Sequence, residues 1–247
     1  MARGMNKGMI IGFVERDPEM RHMADGQPVT SLSVSTNRGW TTNGGEARRS
    51  TEWFHLVAWG RLAEAASRRL RRDQRIYAEG HFQTRRWEDA DGLKHRLTEF
   101  VASKLLPIDD RQSAIAKIPQ DEVDEMQLCL NRVMLIGNLG RDPEMRYTPG
   151  GQAVTSFSLA ATRTWAAANG ERRDSTEWFN VVSWGSLAEI CNQYLTKGRR
   201  VYVEGELRTR SWEQPHGQKH FHTELVADEM IMLGPRPTSD LNDEPPL

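Results

Sequence analysis

All eight tryptophans fall into four pairs, and the members of each pair are 125 residues apart: Trp40 and Trp165, Trp53 and Trp178, Trp59 and Trp184, Trp87 and Trp212. The same offset carries whole phrases. Arg16-Asp17-Pro18-Glu19-Met20-Arg21 recurs as Arg141-Asp142-Pro143-Glu144-Met145-Arg146, and Ser50-Thr51-Glu52-Trp53-Phe54 as Ser175-Thr176-Glu177-Trp178-Phe179. Tyr77, Glu79 and Gly80 return as Tyr202, Glu204 and Gly205. Solenoid units run to about 20–50 residues, so this period is a domain duplication, and 247 residues suit two domains. The copies cover residues 1–106 and 128–234. Residues 107–127, with Pro107, Pro119 and an acidic run from Asp121 to Glu125, read as a linker; residues 235–247 form a short acidic, proline-rich tail.

Within one copy the apolar pattern has period two, the signature of half-buried strands. Leu32 and Val34 point one way, and Ser31, Ser33 and Ser35 the other. Asn43-Gly44-Gly45 is a turn signal. In Thr51–Trp59, Phe54, Leu56 and Ala58 share a face opposite Trp53, His55, Val57 and Trp59. Arg61–Leu70 reads as a short helix with Leu62, Ala66 and Leu70 on one stripe. Beyond it, Ile76, Ala78, Gly80 and Phe82 turn inward and Tyr77, Glu79, His81, Gln83, Arg85 and Trp87 outward. After Asp89-Ala90-Asp91-Gly92 comes a last strand around His95–Leu106. The fold class is therefore all-β: two tandem OB-folds, five-stranded Greek-key barrels, each with a short helix between strands 3 and 4.

Tryptophan is usually well buried, and core packing is the ordinary reading of any single one. Here Trp53 and Trp59 lie opposite a face that is already apolar, and Trp87 and Trp212 share their faces with Arg85 and Arg210. Flat aromatic rings interleaved with cations suit a groove that stacks nucleobases and tracks phosphates. Arg3, Arg38, Arg61, Arg85 and Lys94 in the first copy, and Arg163, Arg208, Arg210 and Lys219 in the second, are the candidate phosphate contacts.

These residues resemble the bacterial single-stranded DNA-binding protein family. The matching elements are Arg-Asp-Pro-Glu-Met-Arg, Thr-Glu-Trp-Phe before Val-x-Trp-Gly, Leu-Ala-Glu in the helix, and Tyr-x-Glu-Gly leading to Thr-Arg-x-Trp. The resemblance implies that all four aromatic positions of each copy stack on DNA. It implies non-enzymatic, sequence-independent binding that protects single strands in replication, recombination and repair. It also implies a homodimer presenting four OB-folds, because family members with one domain assemble four copies. In that family an acidic tail ending in Pro-Phe recruits partner proteins. Here Asp243, Glu244, Pro245, Pro246 and Leu247 keep the acidic-then-apolar order without the phenylalanine, so recruitment is expected to be weak or altered. An OB-fold protein-interaction scaffold and an RNA-binding subunit are the competing readings.

The formal charge of −1 is unevenly spread. Residues 1–106 hold 18 Lys and Arg against 13 Asp and Glu, whereas residues 128–234 hold 12 of each. The first copy is the expected stronger electrostatic partner of a polyanion. The two cysteines, Cys129 and Cys191, do not correspond between copies and form no metal or disulfide motif. His216, His220 and His222 lack the ligand set of a zinc site, and only His220 has a counterpart, His95. Arg68-Arg69-Leu70-Arg71-Arg72 reads as a solvated helix face. No catalytic constellation, phosphate loop or cofactor motif is present, and no apolar run reaches the about 18 residues of a membrane span. A cytoplasmic, nucleoid-associated protein is expected.

Overall fold

The computed structural model describes residues 4–41, 45–88, 92, 94–110, 128–166, 170–213 and 219–234, with backbone only at 40–41, 94–95, 211–213 and 219–221. In the first copy, strands β1 (Met5–Val14), β2 (Glu19–His22), β3 (Pro28–Thr41) and β4 (Ala47–Trp59) precede helix α1 (Gly60–Arg69), and β5 (Gln74–Glu88) and β6 (Lys94–Asp110) follow it. The second copy repeats the plan as β7 (Leu130–Leu139), β8 (Glu144–Tyr147), β9 (Ala153–Ala166), β10 (Arg172–Trp184), α2 (Gly185–Tyr194), β11 (Arg200–Glu213) and β12 (Lys219–Leu233).

Each copy closes into a barrel. In the first, β1 pairs with β5, β5 with β6, and β6 runs parallel to β4. β4 pairs with β3, and β3 returns to β1 at Phe13↔Ser35 and Val14↔Val34. That cyclic order, with a helix between the third and fourth barrel strands, is the OB-fold. The expected inward residues are the core: Leu32, Val34, Leu56, Ala58, Ile76, Ala78 and Phe82 are all at most 2% exposed. The helix stripe holds as well, with Ala66 and Leu70 buried and Leu62 packed against the core. Thr30 on β3 donates to the Ala63 carbonyl of α1 at 2.9 Å, and Thr155 to Ala188 at 2.7 Å, which pins each helix to its barrel.

Four local expectations are corrected. The chain makes four strands before the helix rather than three, because Glu19–His22 adds to the edge of β3. Val57, expected outward, is 5% exposed, at the end of a strand flanked by β3 and β6 and followed at once by α1. Ser35, also expected outward, is 3% exposed because the barrel closes onto β1 there, and its hydroxyl donates to Glu15. The last strand continues to Asp110, into the stretch expected to be linker. Pro107 is accommodated where the β5–β6 register shifts between Arg75 and Ile76, since a bulge spares proline a ladder hydrogen bond. Residues 111–127 lie outside the described residues.

The recurring Tyr-x-Glu-Gly has a steric cause. The register slips between Glu79 and Gly80, and a Cβ on Gly80 would sit 2.1 Å from the Val101 carbonyl oxygen. Gly205 repeats this against Val226 at 2.0 Å.

The two barrels join by edge pairing. β1 lies antiparallel to β7 from Met5↔Ile136 to Ile11↔Leu130, centred on Gly8↔Val133. Because Val133 is the counterpart of Gly8 at the 125-residue offset, this pairing is a pseudo-two-fold contact within one chain. It satisfies two edges that would otherwise template aggregation. Six strands, β6-β5-β1-β7-β11-β12, thus run continuously across the junction.

Candidate nucleic-acid interface

The tryptophans expected to stack are held on strands, and six have described side chains. Trp53 on β4 is 65% exposed and Trp178 on β10 49%, while their strand neighbours Phe54 and Phe179 are 8% exposed in the cores. Trp87 near the end of β5 is 42% exposed. Trp59 and Trp184 are half-buried, each the residue that caps the N-terminus of its helix without a side-chain bond. Trp165 is also half-buried. Trp40 and Trp212 lie in β3 and β11, paired with Arg48 and His220, and their side chains are outside the described residues.

The cations sort into three settings. Arg85 lies 5.7 Å over the Trp87 ring and 3.6 Å from Glu99, a buried carboxylate. Its counterpart Arg210 has Nε 2.7 Å from Glu224 Oε1, an ion contact without hydrogen-bond geometry. Arg163 covers the Trp165 ring at 4.6 Å. Arg38 and Arg208 stand at the domain junction, 3.3 and 3.5 Å from Glu206, and burial pushes the Arg208 guanidinium below its ordinary value. Arg61 is exposed at the start of α1. Arg3, the side chains of Lys94 and Lys219, and the tail residues Asp243 to Leu247 lie outside the described residues, as do His216 and the His220 side chain.

The motifs have structural duties that sequence reading missed. Glu52 of Thr-Glu-Trp accepts from the Thr209 backbone N–H at 2.9 Å, and Glu177 from Thr84 at 3.0 Å. Thr84 and Thr209 open the Thr-Arg-x-Trp phrases, so each domain's β4-type strand is tied to the other domain's β5-type strand. Burial raises the Glu52 carboxyl above its usual range, opposed by the bond from Thr209. Asp17 accepts from Arg72 N–H at 2.8 Å and Asp142 from Lys197 at 2.7 Å, which anchors the Arg-Asp-Pro loop to the turn after each helix. The outward Glu79 receives Lys7 at 2.8 Å and Tyr77 at 3.0 Å, and Glu204 receives Arg132 at 2.7 Å and Tyr202. Burial, then the bond to Glu204, pushes Tyr202 up to about 12. All of these recur at the 125-residue offset; recurrence alone cannot separate a fold duty from a binding duty.

Trp53 borders a cleft of about 420 Å³ whose walls come from both domains, with His55, Leu97 and Thr98 on one side and Asn180, Thr209 and Thr223 on the other. Burial lowers His55 below its ordinary value, so the cleft wall is uncharged there at neutral pH. An exposed indole, a shared cleft and flanking arginines can hold a flexible polyanion with flat bases.

The model of the single-strand binding protein family matches residues 5–108 and 130–233. The chain belongs to that family. A single-stranded DNA-binding protein of Deinococcus radiodurans is 32% identical over 237 residues, covering 94% of this chain and 77% of that protein. Single-stranded DNA-binding protein 1 of Chlorobaculum tepidum is 52% identical over 106 residues, 42% of this chain and 65% of that protein's length. Among solved structures, a deletion mutant of the single-stranded DNA-binding protein from Thermus aquaticus superposes with a TM-score of 0.72 at 28% identity, covering 97% of this chain and 100% of that one. No described helix is long and apolar enough to cross a membrane.

Proposed function

We propose that this protein binds single-stranded DNA without sequence preference, and protects it in replication, recombination and repair. The observation that carries the reading is the placement of Trp53 and Trp178. Two of the largest apolar side chains stand 65% and 49% exposed beside cores that do not need them. Trp53 borders a cleft with walls from both domains, and a π-face stacks on any base. Family membership and the names of the relatives support the same reading. The test is a fluorescence titration with oligo-dT. Strong quenching that saturates at a fixed nucleotide count is expected, and unquenched emission would overturn the reading.

The working unit is a homodimer with four OB-folds, acting in the cytoplasm at the nucleoid. What supports the dimer is the outward face of the six continuous strands, where exposed Leu106, Ile108 and Ile231 flank the tyrosine–glutamate clusters on both sides of the pseudo-dyad. A self-complementary face suits closed two-fold assembly. Sedimentation equilibrium should give twice the chain mass, and a monomer mass would remove the dimer. The acidic-then-apolar stretch Asp243–Leu247 docks weakly on basic, apolar pockets of repair and replication proteins, since Pro246 and Leu247 offer little apolar area. Tight binding of the tail peptide would contradict that.

A further inference from the structure

The 125-residue offset gives each junction residue a counterpart, so departures from two-fold symmetry can be read directly. On one side of the pseudo-dyad, Arg38 of β3 crosses to Glu206 of β11 at 3.3 Å. On the other side the counterparts are Arg163 of β9 and His81 of β5. A carboxylate has been replaced by an imidazole. Burial and the Arg163 charge hold His81 at about 4, so it is neutral at physiological pH and offers Arg163 no counter-charge. Glu177 is the acid that acts on Arg163, but its Oε2 accepts from the Thr84 backbone. Among the described residues no carboxylate forms an ion pair with Arg163; its guanidinium lies 4.6 Å over the Trp165 ring.

The two arginines therefore face a phosphate differently. A phosphate approaching Arg38 must compete with a carboxylate that already stands 3.3 Å from its Nε. One approaching Arg163 displaces water only, because a π-contact positions a cation without neutralising it. We propose that Arg163 and Trp165 form a phosphate-and-base subsite for a single strand crossing between the domains, and that Arg38 is withheld from this role as half of an interdomain clasp with Glu206. The proposal rests on the single-strand-binding reading above.

Four full-length variants test it through the salt dependence of oligo-dT affinity. Each phosphate neutralised on a single strand contributes about 0.7 to the logarithmic salt slope. Arg163→Gln is expected to lower the slope by about 0.7, and Arg38→Gln to leave it unchanged. His81→Glu supplies the missing carboxylate. It should lower the slope as Arg163→Gln does while raising Tm by about 1–3 °C, a readout independent of DNA. Glu206→Gln removes the carboxylate that Arg38 shares with Arg208 and should raise the slope, by up to about 0.7 for each arginine. Equal losses for Arg38→Gln and Arg163→Gln, or an unchanged slope in His81→Glu, would overturn the asymmetry while the unsubstituted protein still binds. If Arg163→Gln fails to fold, His81→Glu reads the same contact. No oligo-dT binding by the unsubstituted protein would overturn the asymmetry together with the function on which it rests.

Discussion

At three facing core positions domain one packs two rings against a glycine, where domain two packs three branched aliphatics. Phe82 and Phe100 meet edge to face at 4.9 Å in the first core, and β1 yields by carrying Gly8, where a Cβ would lie 2.6 Å from each ring. At the same three positions the second domain has Leu207, Leu225 and Val133, all buried at 3% exposure or less. The difference shows a conserved volume redistributed among three side chains, which close-packed interiors require. Position 8 is also the centre of the β1–β7 pairing. The two cores thus press on the same junction from either side, one with a glycine and one with a valine.

The largest effect should come from breaking that complementarity. Gly8→Val alone overpacks the first core and should lower stability by about 2–3 kcal/mol. Adding Phe82→Leu and Phe100→Leu should recover most of it by giving domain one the residues of domain two at these three positions. Denaturant unfolding of the three proteins checks this, and no recovery in the triple variant would mean that the cores are not interchangeable.

Next come the platforms. Removing Trp53 or Trp178 as alanine should weaken oligo-dT binding by about 1–3 kcal/mol each. Their stability effects should differ. The Trp178 ring packs on Gly140, where a Cβ would lie 2.3 Å from it, and domain one has Glu15 at that position. Trp178→Ala should therefore melt earlier than Trp53→Ala, as read by thermal unfolding beside the titration.

A smaller effect concerns acid. His81 ordinarily titrates near 6.5 and is held at about 4 in the fold. Between those values the unfolded chain binds a proton that the folded chain refuses, so this contribution to stability is intact above pH 6.5 and is lost as pH falls toward 4. Allowing for partial exposure, the loss is about 1–2 kcal/mol. His81→Gln should flatten that part of the stability–pH profile, and the same slope in the variant would remove His81 as its source.

The smallest difference is electrostatic. With one platform disabled, binding leans on the other domain. Domain one holds 18 cations against 13 acids and domain two 12 against 12, so Trp178→Ala should retain a steeper salt dependence than Trp53→Ala. Equal slopes would mean that groove cations such as Arg210 outweigh net charge.

Much of the barrel was legible because each strand is wet on one side. Alternation in Thr51–Trp59 and Ile76–Trp87 separated core from surface, and the helix was placed within one residue of Gly60–Arg69. The short β2 was not legible: Glu-Met-Arg-His has no alternation, is exposed throughout, and becomes a strand only because β3 offers an edge. Val57 was misplaced for a related reason, since parity describes one strand and says nothing of what flanks its end. Among the expected contacts, the sequence treated Arg38 and Arg163 alike; Glu206 and His81 separate them, and both lie far away in the chain.

The sequence by itself determined that there are two copies, where the barrel interiors lie, and that Trp53, Trp87 and Trp178 stand on the outer faces. Those properties follow from periodicity and from side-chain type, which are local. Tertiary structure decided how the copies meet, which glutamates lock one domain to the other, and which arginine is already paired. Such properties depend on contacts between residues 93 to 168 positions apart, as in Glu177 with Thr84, Glu52 with Thr209 and Arg38 with Glu206. A charge is neutralised by whatever stands a few ångströms away, and only the folded chain fixes that distance.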